Sequence, residues 1–463
     1  MTAHRCPVSR VLLLAVALSF ISALQAVAQQ PIPPAGPLTV EDAVAYALAH
    51  NPTLVRAEQD VQIAQTQVRV ARAGAYPDVN VSINTTETPN PLSTTFGGQT
   101  IQLGSQLSSS GQLTVSQPVW PQTRWQAPVA SAQANVGITQ ETLVRTRQQV
   151  MYQTRQAFYQ VLSSGELVQV AQQAVDVAQQ QLKLAQNTVN AGLAAPLDIY
   201  QAKAVLANNQ LTLVQAKNTN DVAKAVLAEQ LGLPAGTPVA LNAPKDMPTA
   251  PPDVDALVAD ALKNRPELSL YNFRRKQIRA QMDIIRLQQL PILTAQAGYA
   301  QPLTGASMFS SSGLTFGAVI AWNLFDGGGT KAQLQAAHIQ LAEVDTSARQ
   351  TELQVTLEVR QAWLSLQNAQ QQLKSAEEQR AAAAEALRIA QVRYENGEGI
   401  VLEVQQAQLN LTQALTALAQ ARFQAQSASA QLAFALGAPA PAVPLASPLP
   451  APLVAPASAY TGR

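Results

Sequence analysis

Few residues of this chain have the types and the spacing that covalent chemistry requires. His50 and His338 stand alone in helix-like sequence, and the single cysteine is Cys6, near the N-terminus. Neither an HExxH pair nor a GxSxG, P-loop or paired-cysteine pattern occurs in the chain. The glycine-rich DGGGT at residues 326–330 follows a strand-like stretch and predicts a hinge between strand and helix rather than a phosphate cradle. We therefore expect no enzyme, no cofactor and no metal site.

Acidic residues and a tyrosine do occur at two breaks in long helix-forming tracts. VNAGLAAPLDIYQAKAVL at residues 189–206 matches YENGEGIVLEVQQAQLNL at residues 394–411, at an offset of 205 positions (394 minus 189). At that offset Asp198 corresponds to Glu403, and each acid lies near the start of the helix that follows its break. Helix capping alone is one explanation of both carboxylates, since an acid is stabilised there by the helix dipole. Tyr394 continues a stripe of large residues, so packing alone is one explanation of the tyrosine.

The two breaks belong to an internal repeat that organises most of the chain. AVAYALAHNPTL at residues 43–54 matches LVADALKNRPEL at residues 257–268, at an offset of 214 positions (257 minus 43). The first half thus carries nine extra residues (214 minus 205), between about residues 86 and 112. Insertions collect in exposed loops, so we expect a loop tip there in each half. The predicted segments are a first repeat at residues 29–232, a linker at 233–253, a second repeat at 254–437 and a disordered tail rich in proline and alanine at 438–463.

The N-terminal segment predicts export. Arg5 and Arg10 precede the apolar run VLLLAVALSFISAL, and small residues follow, as in a signal peptide that is cleaved after residue 28. A transmembrane anchor is the alternative, but the run is short and no stop-transfer charges follow it. Removal of residues 1–28 takes away two positive charges and changes the formal net charge from +1 to −1. This balance does not favour a nucleic-acid partner.

Four strand-like stretches flank the predicted loop tips. They lie at about residues 78–86, 112–121, 292–301 and 313–325. No charged residue occurs from Thr88 to Thr123 or from Leu287 to Phe325, which favours strands facing lipid over an ordinary periplasmic hairpin. Four strands would leave two open edges in lipid, so several chains must contribute to one barrel. Two copies would give eight strands and three would give twelve, and an open pore favours three or more.

Each half also contains a long helix-forming tract with a seven-residue repeat. Large residues recur every seven positions, with alanines three positions further along. The large residues are Val161, Val168, Val175, Leu182 and Val189 in the first half, and Leu366, Leu373, Leu387 and Tyr394 in the second. This pattern predicts left-handed coiled coils of closely spaced helices that form a wall, with a plain antiparallel bundle as the alternative. Glycines at the breaks, Gly192 and Gly397, predict the ends of the long helices.

Together these features resemble the TolC family of outer-membrane efflux channels. The similarity covers about residues 38–437 and rests on the duplicated order of helix, strand, strand, helix, turn and helix. It rests also on the strand exits PVWPQ and NLFDGG, and on RYENGEGIVLEVQQAQLNLTQALTALAQAR leading to ALG. The resemblance implies an α+β membrane protein that forms a homotrimer, with a twelve-stranded outer-membrane β-barrel continued by a long periplasmic α-helical coiled-coil barrel.

The resemblance further implies partners. An inner-membrane pump of the RND or ABC type would export through the duct, joined to it by a periplasmic adaptor, the membrane fusion protein. No lipid-acceptor cysteine follows the apolar run, unlike in the lipid-anchored members. The alternatives are a periplasmic adaptor or a coiled-coil envelope protein without a pore.

Carried over by position, the resemblance also implies a gate. The family's gate tyrosine falls on Tyr394, its acidic partner on Asp198 and its first pore-lining acid on Glu403. Two positions depart from the family, because its gate arginine is replaced by Gly399 and its second acid by Gln406. We therefore expect fewer charged constraints on this gate and a weaker cation selectivity than a doubly acidic ring would give.

The two breaks are the predicted helical tips, at residues 190–197 and 396–401, and are where we expect the adaptor to dock. The predicted docking residues are Gly192, Leu193, Ala194, Gly397 and Gly399.

Overall fold

The computed structural model describes residues 36–87, 93–102, 107–192, 195–244, 249, 251, 253–304, 312–396 and 398–438. The predicted signal peptide lies outside these ranges, as does the predicted tail beyond residue 438. None of the helices within them combines the length and the apolar character needed to cross a membrane. Contacts divide the chain into a first unit, Met1–Asn51 with Thr154–Asp246, and a second unit, Pro52–Gln153 with Met247–Arg463.

The described ranges contain eight α-helices, which repeat one order in the two halves. They are α1 (Val40–His50), α2 (Pro52–Ala73), α3 (Thr123–Asn190), α4 (Pro196–Gln230), α5 (Val254–Asn264), α6 (Pro266–Arg286), α7 (Gly329–Glu395) and α8 (Val401–Ala435). The two longest, α3 and α7, have 68 and 67 residues. At 1.5 Å per residue each spans roughly 100 Å. A 3₁₀ helix follows α6 at Leu287–Gln289.

The strands lie in the second unit. They are β1 (Asp78–Glu87), β2 (Ser93–Phe96), β3 (Gln99–Gln102), β4 (Leu107–Trp120), β5 (Ile292–Thr304) and β6 (Gly313–Ala321). Four of them form an antiparallel sheet in the order β1-β4-β5-β6. The other two pair as a separate hairpin, which lies where the sequence predicted the insertion of the first half.

Three strand boundaries differ from the prediction, and the smallest difference is at β5, which ends at Thr304 instead of near residue 301. β4 begins at Leu107, well before the predicted start near residue 112, because Leu107–Ser110 extend the ladder with β1 through an uncharged serine run. β6 ends at Ala321, although the prediction extended to Phe325. Its pairing with β5 stops where β5 begins, at Ile292. The indole Nε1 of Trp322 donates instead to the carbonyl of Gln289, 3.0 Å away.

Residues of the seven-residue repeat in the second half form the buried seam between α7 and α8. On α7 the buried seam residues are Val355, Val359, Ala362, Leu366, Ala369, Leu373 and Ala376. On α8 they are Leu418, Ala421, Ala425, Ala428, Leu432 and Ala435. Both sets advance by alternating steps of three and four, as knobs-into-holes packing requires. The predicted coiled coil is confirmed here, and Arg380, which interrupts the stripe, is exposed.

In the first unit the same seam contains a polar pair. Ala171 and Val175 of α3 pack against Leu213 of α4. One heptad before Ala171, the buried Ser164 places its Oγ 3.1 Å from Oδ1 of Asn220. The equivalent positions of the second half, 205 further along, are the buried alanines Ala369 and Ala425.

The C-terminal ends of α4 and α8, the helices that return from the two tips, are each held by a side-chain hydrogen bond. The two bonds are equivalent in the two halves. In the first unit Asn51, which precedes Pro52, donates from Nδ2 to the carbonyl of Gln230 at 2.8 Å. In the second unit Arg265, which precedes Pro266, donates from Nε to the carbonyl of Ala435 at 2.8 Å. The donors are 214 positions apart and the acceptors 205, which matches both repeat offsets. Each donor satisfies a carbonyl that a helix end leaves without an intrahelical partner.

The DGGGT segment is the expected hinge between strand and helix. Gly327 and Gly328 adopt φ angles of 65° and 90°, which favour glycine. The carboxylate of Asp326 accepts hydrogen bonds from the backbone N–H of Gly328 at 2.9 Å and of Thr330 at 2.7 Å. The Thr330 hydroxyl and these N–H groups hold the pKa of Asp326 below its ordinary value. The segment thus binds its own carboxylate at the start of α7.

Candidate functional site

The register of the sheet separates apolar and polar residues onto opposite faces. Directly paired residues of neighbouring strands lie on the same face. One face contains the rows Val81, Leu113, Tyr299, Leu314 and Val79, Val115, Ala297, Phe316. The other face contains the rows Asn80, Thr114, Gly298, Thr315 and Asp78, Ser116, Gln296, Gly317. The apolar face is widely exposed in the single chain, with Phe316 at 80% and Val81 at 69%.

The strands are nearly free of charge. Asp78 and Glu87, at the two ends of β1, are the only charged residues in the described strands. An apolar face that alternates with a polar face is typical of a strand with lipid on one side and water on the other.

Aromatic residues gather at one end of the sheet, where β1 and β5 begin and β4 and β6 end. Tyr76 precedes β1, Trp120 closes β4, and Trp322 and Phe325 follow β6. All four are exposed, between 46% and 86%. Aromatic residues at this level are characteristic of the boundary between lipid and water.

The second-half tip is closed by the last turn of α7. The backbone N–H groups of Glu398 and Gly399 both donate to the carbonyl of Arg393, at 2.8 and 3.1 Å. The guanidinium of Arg393 donates to the carbonyl of Glu398 at 3.2 Å. The other terminal nitrogen of Arg393 lies 3.5 Å from a carboxylate oxygen of Glu403, in the first turn of α8. One arginine therefore joins the end of one helix, the turn and the start of the next.

Gly399 lies so close to this turn that a side chain there would be tightly packed. A Cβ added at Gly399 would be 3.1 Å from the backbone nitrogen of Tyr394 and 3.3 Å from Cβ of Arg393. A larger residue therefore requires the neighbouring backbone to move. This explains why a glycine fits the position at which the sequence departs from the expected gate arginine.

The first-half tip uses glycine and proline. α3 ends at Asn190, and Gly192 adopts a φ of 75° while it donates to the carbonyl of Val189 at 3.0 Å. α4 restarts with Pro196 in its first turn, and Asp198 follows it there, partly exposed. The backbone N–H of Asp198 donates to the carbonyl of Ala195 at 3.0 Å.

Only some of the predicted site residues lie within the described part of the chain. Leu193, Ala194 and Gly397 lie outside the described residues. Asp198 lies in the first unit and Tyr394 in the second, so the contact predicted between them stays a prediction.

Arg393 is the tip residue that the sequence analysis missed. Its signal was in the sequence, because an arginine directly before the tyrosine is followed ten positions later by an acid. That separation crosses a turn, so helical spacing alone could not identify the pair.

The fold, the two-faced sheet and the two helical tips define an outer-membrane channel protein. The chain belongs to the outer membrane efflux protein family, whose model matches residues 43–233 and 257–438. The fold class predicted from the sequence is confirmed by this match and by the structural comparisons. Family membership also places the chain in the outer membrane, in a family of channels and not of enzymes.

The chain is also similar to individual proteins. The chain is 23% identical over 237 residues to nodulation protein T of Rhizobium leguminosarum bv. trifolii, with 50% of each protein covered. It is 26% identical over 226 residues to protein CyaE of Bordetella pertussis, with 47% of each covered. The match thus spans about half the length of these relatives. The outer membrane protein VceC of Vibrio cholerae has the same fold, with a TM-score of 0.70, 23% identity and coverage of 86% of this chain and 96% of VceC.

Proposed function

We propose that three copies of the chain form a continuous export duct across the outer membrane and the periplasm. The observation that carries the proposal is the four-stranded sheet of the described residues, which has one exposed apolar face and has β1 and β6 at its two edges. Unpaired backbone groups at such edges are costly in lipid, and strands of further copies satisfy them. Three copies of four strands give twelve strands, enough for a lumen that holds water.

The polar face of the sheet is suited to line that lumen. Its side chains are mainly serine, threonine, asparagine and glutamine, which hydrogen-bond to water without favouring either sign of charge, and Asp78 at the start of β1 is the charged exception. A lumen of this kind passes cargo of varied chemistry. Selection of the cargo then resides in the pump that feeds the duct.

The helical tips are the proposed docking surface for a periplasmic adaptor. Ile400 and Leu402 at the second tip and Leu197 at the first are 60–64% exposed. Apolar residues exposed on a turn between two helices suit a helical partner, which would cover them. The docking surface comprises both turns, including Gly192, Leu193, Ala194, Gly397 and Gly399, and the pump behind the adaptor is of the RND or ABC type.

A substitution at the second tip tests the docking surface. Leu402→Asp should abolish export in cells while the trimer remains intact on native gels. Leu409→Asp is the matched control, because Leu409 is 50% exposed one heptad further along the same helix. Export that persists with Leu402→Asp, or that is lost equally with Leu409→Asp, contradicts docking at the tip.

The same tips form the proposed gate. Tyr394 and Asp198 hold neighbouring hairpins together in the closed state, and Glu403 lines the pore beside them. The proposal is supported by the position of both carboxylates in the first turn after a break.

Ion current across a planar bilayer tests the gate. The native protein should give small, mostly closed currents, and Asp198→Ala/Tyr394→Phe should give large, steady ones. Asp176→Ala/Tyr271→Phe repeats the two substitutions away from the tips, where Asp176 accepts from Gln172 and Tyr271 pairs with Thr351, and should behave as native. Equal currents from the native and tip variants refute the gate, and the absence of both a trimer and any current refutes the duct.

A further inference from the structure

We propose that Arg393 determines the ion selectivity of the tip by cancelling the charge of Glu403 within its own hairpin. This inference rests on the proposed duct, in which Glu403 lines the pore. It assigns to Arg393 a role in specificity, through the acid that it neutralises.

The position of Arg393 is fixed by more than the ion pair. Its carbonyl accepts two backbone hydrogen bonds, from Glu398 and Gly399, and its guanidinium donates back to the carbonyl of Glu398. The close approach of Gly399 keeps this turn compact. The guanidinium is therefore held beside Glu403 by the turn itself. An exposed ion pair alone, with side chains 51% and 44% exposed, would contribute little to that geometry.

Among the described residues of the first-half tip, no equivalent of this arrangement occurs. The position that corresponds to Arg393 (393 minus 205) is Thr188, whose hydroxyl lies 3.1 Å from the carbonyl oxygens of Leu184 and Ala185 and can donate to either. Asp198 corresponds to Glu403, so one repeat pairs its acid with an arginine across the turn and the other has a threonine in that place. The two acids therefore differ in the charge that they present to the pore.

The pairing of Arg393 with Glu403 changes the net charge at the tip of the trimer. In a trimer, three carboxylates of Glu403 stand beside three guanidinium groups, and their net contribution to the field at the tip is close to zero. Loss of the guanidinium leaves a ring of three negative charges, which attracts cations. Loss of the carboxylate leaves three positive charges, which repel them.

Reversal potentials in a KCl gradient test the proposal, since they are independent of the number of open channels. Arg393→Gln should shift the reversal potential towards the potassium equilibrium potential, and Glu403→Gln should shift it towards that of chloride. The double variant should return close to the native value. Arg388→Gln is the matched control, because Arg388 pairs with Glu385 at 2.7 Å on the same helix, away from the turn, and should leave the potential unchanged.

Other results overturn the proposal in distinguishable ways. Shifts of the same sign in both single variants, or a larger conductance with unchanged selectivity, would mean that Arg393 only stiffens the turn. An equal shift in Arg388→Gln would mean that any charge on α7 suffices. A protein that conducts in no variant would instead refute the duct.

Discussion

Replacement of Arg265 by methionine should destabilise the second unit more than replacement of Asn51 by alanine destabilises the first. Both residues donate to the last carbonyls of a returning helix, but their surroundings differ. The side chain of Arg265 is 1% exposed and also forms ion pairs with Glu267 and Glu358. Methionine fills similar volume, so the loss is mainly electrostatic.

The contacts that remain set the magnitude. Glu267 keeps a second cation, because Arg145 lies 2.6 Å from the same carboxylate oxygen. Glu358 is 34% exposed and still accepts from Gln354 at 3.1 Å. The cost therefore falls near the lower end of the range for a broken buried ion pair, about 3 kcal/mol. Loss of the neutral amide hydrogen bond from Asn51 to Gln230 should cost about 1 to 2 kcal/mol.

Denaturant unfolding of the purified protein in detergent, followed by circular dichroism, measures both effects. Arg265→Met should lower the unfolding midpoint clearly more than Asn51→Ala. Addition of Glu358→Gln to Arg265→Met should recover part of the loss, because one carboxylate then no longer needs a cation. Two results would contradict the prediction that unpaired carboxylates destabilise Arg265→Met. One is a variant as stable as the native chain, and the other is a second substitution that recovers nothing.

Three further predictions concern stability and are each measured by unfolding midpoints. Asp326→Asn should be destabilising at neutral pH, and the difference should shrink as the pH falls below 3.8, because the depressed pKa of this carboxyl stabilises the fold only while the group is ionised. Gly137→Leu should cost about 1 to 3 kcal/mol, since even a Cβ there would lie 2.2 Å from the ring of Phe273, and Phe273→Ala should relieve it. Asn220→Ala should cost about 1 kcal/mol, and the added Ser164→Ala, which copies the second half, should restore stability.

The repeat and the heptads were predictable because periodicity is a local property of sequence. The stripe of Leu366, Leu373 and the intervening alanines is buried in the α7–α8 seam as expected, since packing against any helix rewards the same spacing. The polar pair of Ser164 and Asn220 was harder to predict from the sequence. Its members are 56 positions apart, on two helices whose register the sequence does not fix.

The strand ends and the helix caps were also hard to predict, because they depend on residues that are distant in the sequence. Alternation identified β1 well, but the serine run that begins β4 has no alternation, and only pairing with β1 makes it a strand. Asn51 and Arg265 were visible as the residues before two matched prolines, Pro52 and Pro266. Their shared role as donors to the carbonyl at a helix end could not be predicted. One donor is an amide and the other a guanidinium, and each acceptor is at least 170 positions away.

Duplication explains how the two tips acquired different charges. Both halves had to keep the same backbone, a long helix, a tight turn and a returning helix, because the seam and the caps require it in each. Thr188 is half-buried and Arg393 is exposed, and neither belongs to the buried seam, so position 188 could be threonine while position 393 is arginine. If Arg393 neutralises Glu403, then Asp198 contributes more net negative charge to the closed tip than Glu403 does. Asp198→Asn should then reduce cation selectivity more than Glu403→Gln/Arg393→Gln does, and equal effects in reversal-potential measurements would contradict this division of roles.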